Sequence, residues 1–192
     1  MKKKIYVFLF DGYADWEISY FSPEIEKSGK FDLIYFSKTG ESVTSMGGLN
    51  VKPSASLAEV DRDEAFMLIL PGGNAWENGD DMEIVELTES LFEKGTVIAA
   101  ICAATAFLGR QGILDGLKHT SNDLQYLKSV APDYSDDVDY VNAPAVSDQN
   151  LITARGVSPI EFAREIFRKI GLYDDDRTEK WFQLFKNGVW SA

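Results

Sequence analysis

Four short apolar runs, separated by stretches with helical spacing, are the clearest pattern along this chain. Each run has five or six residues and is continuous rather than alternating, as expected of strands that are covered on both faces. Between the third and fourth runs, the apolar residues of Met82–Glu93 share one helical face, and Gly95 lies just beyond them. This alternation predicts βαβ units and a parallel sheet. The runs are residues 5–10, 31–36, 66–70 and 97–101.

Two further segments have the pattern of hairpins. Residues 43–45 and 50–52 flank a turn that contains two glycines, and residues 145–147 and 151–153 flank a polar turn. We expect both pairs as antiparallel additions to the main sheet. The chain is therefore predicted to be an α/β protein with a mostly parallel sheet, helices on both faces and a small hairpin addition.

Two helix starts are marked near the C-terminus. Ser158 as the N-cap, Pro159 at the first helical position and Glu161 three residues after the cap predict a helix with a capping box. Asp176 and Glu179 form a second capping pair, ahead of an aromatic-rich stretch.

Nothing in the composition suggests a boundary between domains. Residues 1–192 are expected to form a single domain with a C-terminal helical extension from about residue 172. This extension either covers the domain or exchanges onto a partner subunit.

The charge balance restricts the partners. The 192 residues include 19 Lys and Arg against 31 Asp and Glu, a formal net charge of −12. This charge opposes phosphate backbones and anionic lipids, so we expect neither nucleic acid nor a membrane as a partner. The first apolar run is too short for an export signal, and no stretch is long enough to span a bilayer. We therefore expect a cytoplasmic protein.

The chain contains one cysteine, Cys102, and one histidine, His119. An intramolecular disulfide is therefore impossible, and no Cys/His zinc site of ordinary ligand number can form within the chain. We expect neither a metal nor an organic cofactor.

Cys102 follows the fourth apolar run and precedes a helical stretch of small residues. A nucleophile at a sharp strand-to-helix turn is exposed at the carboxyl edge of the sheet, where open α/β sheets bind ligands. The N-terminus of the following helix is expected to lower the pKa of the thiol, as a reactive cysteine requires. On position alone, a small buried apolar residue is an equally good interpretation of Cys102.

Two other segments end at the same edge of the sheet. Pro71-Gly72-Gly73-Asn74 follows the third run, and its glycines let backbone N–H groups approach a developing oxyanion, although a tight turn explains them as well. Glu17 follows the first run among aromatic and apolar residues, where a carboxyl group has a raised pKa and can exchange protons near neutrality. A solvated helix glutamate is the simpler alternative for Glu17.

Together these segments resemble the ThiJ/PfpI family, within the class I glutamine amidotransferase-like fold. The resemblance implies a flavodoxin-like three-layer sandwich and a homodimer. The resemblance rests on four motifs that occur in order between about residues 4 and 171. The first is a strand followed by Asp-Gly and Glu17, and the second is Leu70-Pro71-Gly72-Gly73. The third is Ala100-Ile101-Cys102, and the fourth is Ile152-Thr153-Ala154-Arg155-Gly156, which precedes a Glu-Phe-Ala helix.

The resemblance also implies roles for individual residues. Cys102 corresponds to the family's nucleophilic and readily oxidised elbow cysteine, and Glu17 to the protonated glutamate that hydrogen-bonds to it. Gly73 and Ala103 correspond to the two backbone N–H donors of the oxyanion hole.

The chain departs from the family in its histidine. Many members carry one directly after the cysteine or further along the chain, and those positions are Ala103 and, in our interpretation, Asn122 here. His119 misses both positions and is kept as an alternative third partner of the cysteine. The C-terminal region has no histidine, so glutamine-dependent ammonia transfer is not expected.

The function predicted from these residues is a reaction of Cys102 with a small electrophilic carbonyl or amide substrate. The reaction is glyoxalase-like, deglycase-like or amidase-like, with Glu17 as the proton partner. Two alternatives remain open, a non-enzymatic redox or stress-response protein that uses oxidation of Cys102, and a binding module that retains the pocket. The missing imidazole favours aldehyde or redox chemistry over peptidase or amidase chemistry.

Overall fold

The four apolar runs become the central strands of a seven-stranded sheet. The computed structural model describes residues 2–78 and 82–190. The strands are β1 (Lys3–Phe8), β2 (Phe31–Ser37), β3 (Val43–Thr44), β4 (Asn50–Val51), β5 (Ala55–Ser56), β6 (Ala65–Leu70), β7 (Val97–Ile101), β8 (Ala145–Asp148) and β9 (Leu151–Ala154). The helices are α1 (Asp15–Ile18), α2 (Phe21–Ser28), α3 (Ala75–Asn78), α4 (Met82–Glu93), α5 (Ala104–Arg110), α6 (Leu124–Val130), α7 (Pro159–Ile170) and α8 (Asp175–Asn187).

Both faces of the sheet are covered, which explains why its central strands are continuously apolar. In β1, Ile5 and Val7 belong to the core under α2 and α7, whereas Tyr6 belongs to the core under α3, α4, α5 and α6. Successive side chains of a strand point to opposite faces, so a strand between two cores needs apolar residues at every position. The predicted three-layer α/β arrangement, flavodoxin-like and mostly parallel, is confirmed.

The strand order creates the crevice in which the site lies. The order is β5-β2-β1-β6-β7-β9-β8, so the chain moves outward from β1 to β2 and then returns to place β6 on the other side of β1. The carboxyl ends of β1 and β6 therefore border a topological switch point, where open parallel sheets leave room for a ligand. The ends of β7 and β9 lie next to them.

The predicted hairpins have different outcomes. The second one joins the main sheet, with β8 antiparallel to β9 and β9 parallel to β7. The expectation that the first hairpin also extends the main sheet is wrong, because β3 and β4 pair with each other as a separate two-stranded sheet. Its two-residue strands leave few backbone groups for another edge.

The predicted helix Met82–Glu93 is confirmed over its whole length, and α7 begins at Pro159 as expected. The capping box predicted for α7 is not formed. Ser158 occupies the N-cap position without a side-chain hydrogen bond. Glu161 is buried and pairs with Lys186 of α8 at 2.8 Å instead of reaching back to the cap.

The capping pair predicted for the last helix is also wrong. Asp174 is the N-cap of α8, and its carboxylate accepts the N–H of Arg177. Asp176 instead pairs with Lys180, and Glu179 accepts a hydrogen bond from Gln183. Three consecutive aspartates offer equivalent caps in sequence, and the path of the chain out of α7 decides among them.

The C-terminal helix folds back on its own chain. The ring of Trp181 in α8 lies 4.7 Å from the ring of Phe167 in α7 and 5.0 Å from that of Phe185. Salt bridges from Arg164 and Arg168 to Glu179 flank this contact. Among the residues that the structure describes, no helix has the length and apolar character needed to cross a bilayer.

We predict that Trp181→Ala lowers the free energy of unfolding by about 3 kcal/mol, because the indole is 8% exposed and its removal leaves a cavity between α7 and α8. Val138→Ala is the control, since Val138 is 93% exposed. Urea denaturation of both variants measures the difference, and equal losses would contradict the packing role assigned to α8.

Candidate active site

Cys102 lies at a strained turn between β7 and α5. Its φ is +61°, a left-handed conformation that few non-glycine residues adopt. The N–H of Cys102 donates to the carbonyl of Ala154 in β9 at 3.0 Å, and its carbonyl accepts the N–H and the hydroxyl of Thr105. These bonds anchor the turn from both sides, and the half-buried thiol stands at the carboxyl edge of the sheet. This is the geometry of a nucleophile elbow.

Glu17 is fully buried in α1 and is held by the glycine loop. Its Oε2 accepts the N–H of Gly72 at 2.6 Å. The carboxyl and the thiol of Cys102 interact closely enough to shift the pKa of each other. Oε1 of Glu17 is buried and has no hydrogen-bond partner among the described residues.

Two glycines form the walls around the sulfur. A Cβ added to Gly72 would lie 2.6 Å from Cβ of Cys102 and 2.8 Å from Oε2 of Glu17. A Cβ added to Gly156 would lie 2.6 Å from Sγ of Cys102. Real Cβ atoms do not tolerate such distances, so both positions require glycine for the close approach of the backbone.

The two backbone donors predicted for an oxyanion hole directly follow residues of this pocket, since Ala103 comes after Cys102 and Gly73 after Gly72. The N–H of Ala103 opposes the effect of burial, which raises the pKa of Cys102. Gly73 follows Gly72, and none of the hydrogen bonds between described residues uses its N–H. A Cβ on Gly73 would lie 2.6 Å from the Phe10 ring, so this position is also confined to glycine.

Burial controls both ionisable groups. It raises the pKa of Glu17 to about 7, against the opposing effects of the Gly72 N–H and the thiol. Burial, followed by a charge on Glu17, raises the pKa of Cys102 to about 11. The helix N-terminus was expected to lower the pKa of this thiol. The structure gives the opposite direction, because desolvation outweighs the bonds from Asn122 and Ala103.

His119 hydrogen-bonds to residues other than Cys102. It is fully buried, with Nδ1 2.6 Å from the carbonyl of Leu117 and Nε2 2.7 Å from the hydroxyl of Tyr134. Both ring nitrogens are thus engaged away from Cys102. The structure does not bring this alternative third partner to the thiol.

Asn122 occupies the position at which, in our interpretation of the family resemblance, other members carry a histidine. Its Nδ2 lies 3.6 Å from Sγ of Cys102, and its Oδ1 accepts the N–H of Gly156 at 2.9 Å. No functional role was predicted from the sequence for Asn122 or Gly156. The only signal was indirect, since Asn122 occupies the histidine position and Gly156 ends the fourth motif.

No group of three or more His, Cys, Asp or Glu within residues 2–78 and 82–190 is arranged to hold a metal ion. The site itself brings together a thiol, a buried carboxyl and backbone N–H groups, which are the groups used in nucleophilic catalysis.

We predict that Glu17→Gln removes a pH-dependent cost of folding. The unfolded chain ionises this carboxyl near pH 4.5 and the native protein near pH 7, so native Glu17 retains a proton that the unfolded state has lost. The contribution of Glu17 to the free energy of unfolding is fully present below the pKa of the unfolded chain. It is lost as the pH rises through the native pKa of about 7. The measured quantity is the unfolding free energy of Glu17→Gln minus that of the wild type. We expect this difference to be about 2 to 3 kcal/mol larger near pH 8 than near pH 5.

Glu41→Gln is the control for this measurement, because Glu41 is exposed and the substitution makes the same change in charge. Urea denaturation at the two pH values gives the comparison. A difference that stays constant with pH for Glu17→Gln would show that the carboxyl titrates normally in the folded protein.

Comparisons with known proteins show which family this chain resembles in sequence and in fold. The sequence model described as the DJ-1/PfpI family matches residues 3–169. The chain is 37% identical over 191 residues to a protein of Bacillus subtilis named "Uncharacterized protease YoaZ", covering 96% of this chain and 91% of that protein. It is 29% identical over 154 residues to a deglycase of Thermococcus kodakarensis, covering 79% and 89%. A thiJ/pfpI family protein of Bacillus anthracis has a TM-score of 0.92 at 39% identity, over 98% of this chain and 92% of that one.

Proposed function

Because this chain belongs to the DJ-1/PfpI family, we propose that it is a cysteine-dependent enzyme of the glyoxalase or deglycase type. Its substrates are small 2-oxoaldehydes or their adducts with amines and thiols. The observation that carries this proposal is the buried Glu17 carboxyl beside the Cys102 thiol, with a pKa raised to about 7. Such a group accepts and returns a proton at neutral pH.

In the first step the Cys102 sulfur attacks the aldehyde carbon. The S–C bond forms, the π electrons of the carbonyl move to its oxygen, and the S–H proton passes to Glu17. The N–H groups of Gly73 and Ala103 stabilise the negative oxygen. Glu17 then returns the proton to that oxygen, which gives a hemithioacetal.

The remaining steps need water alone. Glu17 takes the proton from the former aldehyde carbon and returns it at the neighbouring carbon. The hydroxyl proton passes to the neighbouring carbonyl oxygen, so the hemithioacetal becomes a 2-hydroxy thioester. One carbon is oxidised and its neighbour is reduced, so no external oxidant takes part. Water hydrolyses the thioester to a 2-hydroxy acid and restores the thiol. An adduct first collapses to the free aldehyde: its C–N or C–S bond breaks, the C=O bond forms, and its own hydroxyl proton passes to the departing amine or thiol.

The raised pKa of Cys102 favours the enzymatic proposal over redox sensing. Peroxides react with thiolates, and a thiol whose pKa is raised to about 11 is protonated at neutral pH. An enzyme avoids this limitation because Glu17 removes the proton as the S–C bond forms. Asn122 at the usual histidine position also offers no proton for a leaving amine, which favours aldehydes over amides.

We predict that the protein converts methylglyoxal to lactate and that Cys102→Ser abolishes this turnover. Glu17→Gln is expected to lower kcat/KM by about 100-fold, because proton transfer loses its carrier. In the wild type, kcat/KM should rise with pH through about 7, as Glu17 ionises and becomes a base. Coupled detection of lactate measures all three effects, and Glu41→Gln is expected to match the wild type.

The redox alternative has a different signature. Absence of turnover, together with a peroxide-induced mass gain of two oxygens on Cys102, would overturn the enzymatic proposal in favour of oxidation as the function.

We also propose that a second copy of this chain covers one exposed apolar face. The turn of the β3–β4 hairpin lies against the start of α1, since Met46 donates its N–H to the carbonyl of Tyr13. The C-terminal end of α8 adjoins the same helical segment through a ring contact between Tyr20 and Phe185 at 5.7 Å. Exposed apolar side chains are concentrated there, which is typical of an interface. They are Trp16, Met46, Leu49, Phe185, Val189 and Trp190.

We predict that Trp16→Glu shifts the protein from dimer to monomer in sedimentation velocity at micromolar concentration, because a buried charge at the interface lacks a partner. Val138→Glu is the control, since Val138 is 93% exposed outside this face. A wild type that sediments as a monomer would refute the assignment of this face to a second copy.

A further inference from the structure

One peptide unit of the glycine loop is hydrogen-bonded on both sides. Its N–H, which belongs to Gly72, donates to Oε2 of Glu17 at 2.6 Å. Its carbonyl, which belongs to Pro71, accepts the indole Nε1–H of Trp76 at 2.7 Å. The C=O and N–H of a trans peptide point in opposite directions, so the two partners lie on opposite sides of this unit. Trp76 is therefore separated from the Glu17 carboxyl by a single rigid group.

The indole of Trp76 is held in place by the core. The side chain is 1% exposed. Its ring contacts those of Phe8, Phe10 and Phe107, with centroid distances of 6.0, 5.3 and 4.9 Å. The backbone carbonyl of Trp76 also accepts Nη2 of Arg110 at 2.7 Å. The position of the indole N–H is thus fixed by packing that does not depend on the glycine loop.

The two hydrogen bonds reinforce each other through the peptide group. A donor on a carbonyl draws electron density from the amide, which makes the N–H of the same peptide a stronger donor. The effect is larger in a buried site than in water, and both bonds here are buried. The indole N–H therefore strengthens the bond from Gly72 to Glu17.

The strength of this bond bears on the protonation of Glu17. Burial has the largest effect and raises the pKa of Glu17, whereas the Gly72 N–H lowers it, because a donor favours the ionised carboxyl. The thiol of Cys102 is the titratable group that acts on Glu17 directly. A weaker bond from Gly72 would leave the effect of burial less opposed.

Charged groups on the neighbouring elements have partners of their own. The helix α7 packs against α1, and the carboxylate in the first turn of α7, Glu161, is paired with Lys186. Within α1, the carboxylate of Asp15 accepts a hydrogen bond from the Ser45 hydroxyl. The loop peptide is therefore the contact through which a substitution can alter Glu17 with the least change in nearby charge.

A side chain supports one peptide of the loop and the backbone supports the next. The peptide unit between Gly72 and Gly73 is held at its carbonyl by the N–H of Ala14 at 2.9 Å. That bond survives any side-chain substitution, whereas the bond at Pro71 requires an indole. Position 76 is thus a point at which a substitution changes the donor to Glu17 without altering the carboxyl or the loop sequence.

We propose that Trp76 is a positioning residue for Glu17, because its indole N–H orients and polarises the Pro71–Gly72 peptide and so sets the strength of the hydrogen bond that Glu17 accepts. Trp76 acts through this peptide and takes no part in bond making. The inference rests on the proposed function only for its consequence in turnover, since the protonation of Glu17 is measurable without a substrate.

The wild-type protein allows a test without substitution. Carbon-13 NMR of the side-chain carboxyl reports the protonation of Glu17, and the indole N–H signals report the four tryptophans. Ionisation of Glu17 strengthens the bond from Gly72, and the peptide passes this change to the indole. We expect the Trp76 indole proton to move downfield with the midpoint of Glu17, about 7, and to stay constant in Glu17→Gln. The indole of Trp190, which is 79% exposed, is the internal reference.

Removal of the indole N–H tests the direction of the effect. Replacement of Trp76 by benzothienylalanine keeps the bicyclic shape and loses the donor, and Trp76→Phe is the genetically encoded variant. Both are expected to raise the pKa of Glu17 by about half a unit, because the ionised carboxyl loses part of its support. Phe107→Leu is the packing control, since it changes the ring 4.9 Å from Trp76 and leaves the bond to Pro71 in place.

A role of Trp76 in packing alone predicts a different pattern. Water that enters the space left by Trp76→Phe would hydrate the carboxylate and lower the pKa of Glu17, and benzothienylalanine would leave it unchanged. An unchanged or lowered pKa in the benzothienylalanine protein would overturn the inference. An indole proton of Trp76 that does not respond to Glu17 would overturn it as well.

Turnover connects the inference to the proposed function. With methylglyoxal as the substrate, the rise of kcat/KM with pH should move to higher pH in Trp76→Phe by the same amount as the NMR midpoint. Phe107→Leu should keep the wild-type profile. A shifted NMR midpoint without turnover would refute the proposed function and preserve the role of Trp76. Turnover with an unshifted midpoint would refute the role of Trp76 alone.

Discussion

The hydrogen bond from the N–H of Gly72 to Oε2 of Glu17 is the contact on which the arrangement of the site depends. It joins α1, which follows β1, to the loop that follows β6, across the switch point of the sheet. It also compensates only part of the cost of burying a carboxyl group, because one backbone donor does not replace a hydration shell. The uncompensated part of this cost raises the pKa of Glu17 to about 7, so the carboxyl exchanges its proton near neutral pH.

The thiol is enclosed by segments from four separate strand ends. β1 leads to Glu17, β6 to Gly72, β7 to Cys102 itself and β9 to Gly156. No two of these segments are close in sequence, so the site exists only when the sheet is complete. The positive φ of Cys102 is stabilised in the same way, since the Ala154 carbonyl holds its N–H from the neighbouring strand. The strain at the elbow is therefore balanced by the sheet rather than by the turn.

The sequence predicts those parts of the molecule that depend on local pattern. Met82–Glu93 was predicted in full because one apolar face and a following glycine define a helix without tertiary information. β1 was predicted as residues 5–10 but ends at Phe8, because Leu9 and Phe10 remain apolar after the strand pairing stops. Pattern alone does not distinguish a strand from an extended segment that leaves it.

The properties of the site depend on burial and chain path, which the sequence encodes less directly. The elbow at Cys102 follows from small residues after an apolar strand. The direction of its pKa did not follow, because desolvation depends on how many segments converge on the sulfur. The role of Asn122 required the path between α5 and α6, and the same path turns His119 toward Tyr134.

The presence of a single cysteine has a consequence for recovery from damage. A sulfenic acid formed on Cys102 has no second thiol in the chain with which to condense, so no internal disulfide protects it from further oxidation. Repair requires a thiol from outside, which must approach a sulfur enclosed by Gly72 and Gly156. Oxidation of Cys102 therefore proceeds to irreversible products unless a small external reductant reaches the pocket first.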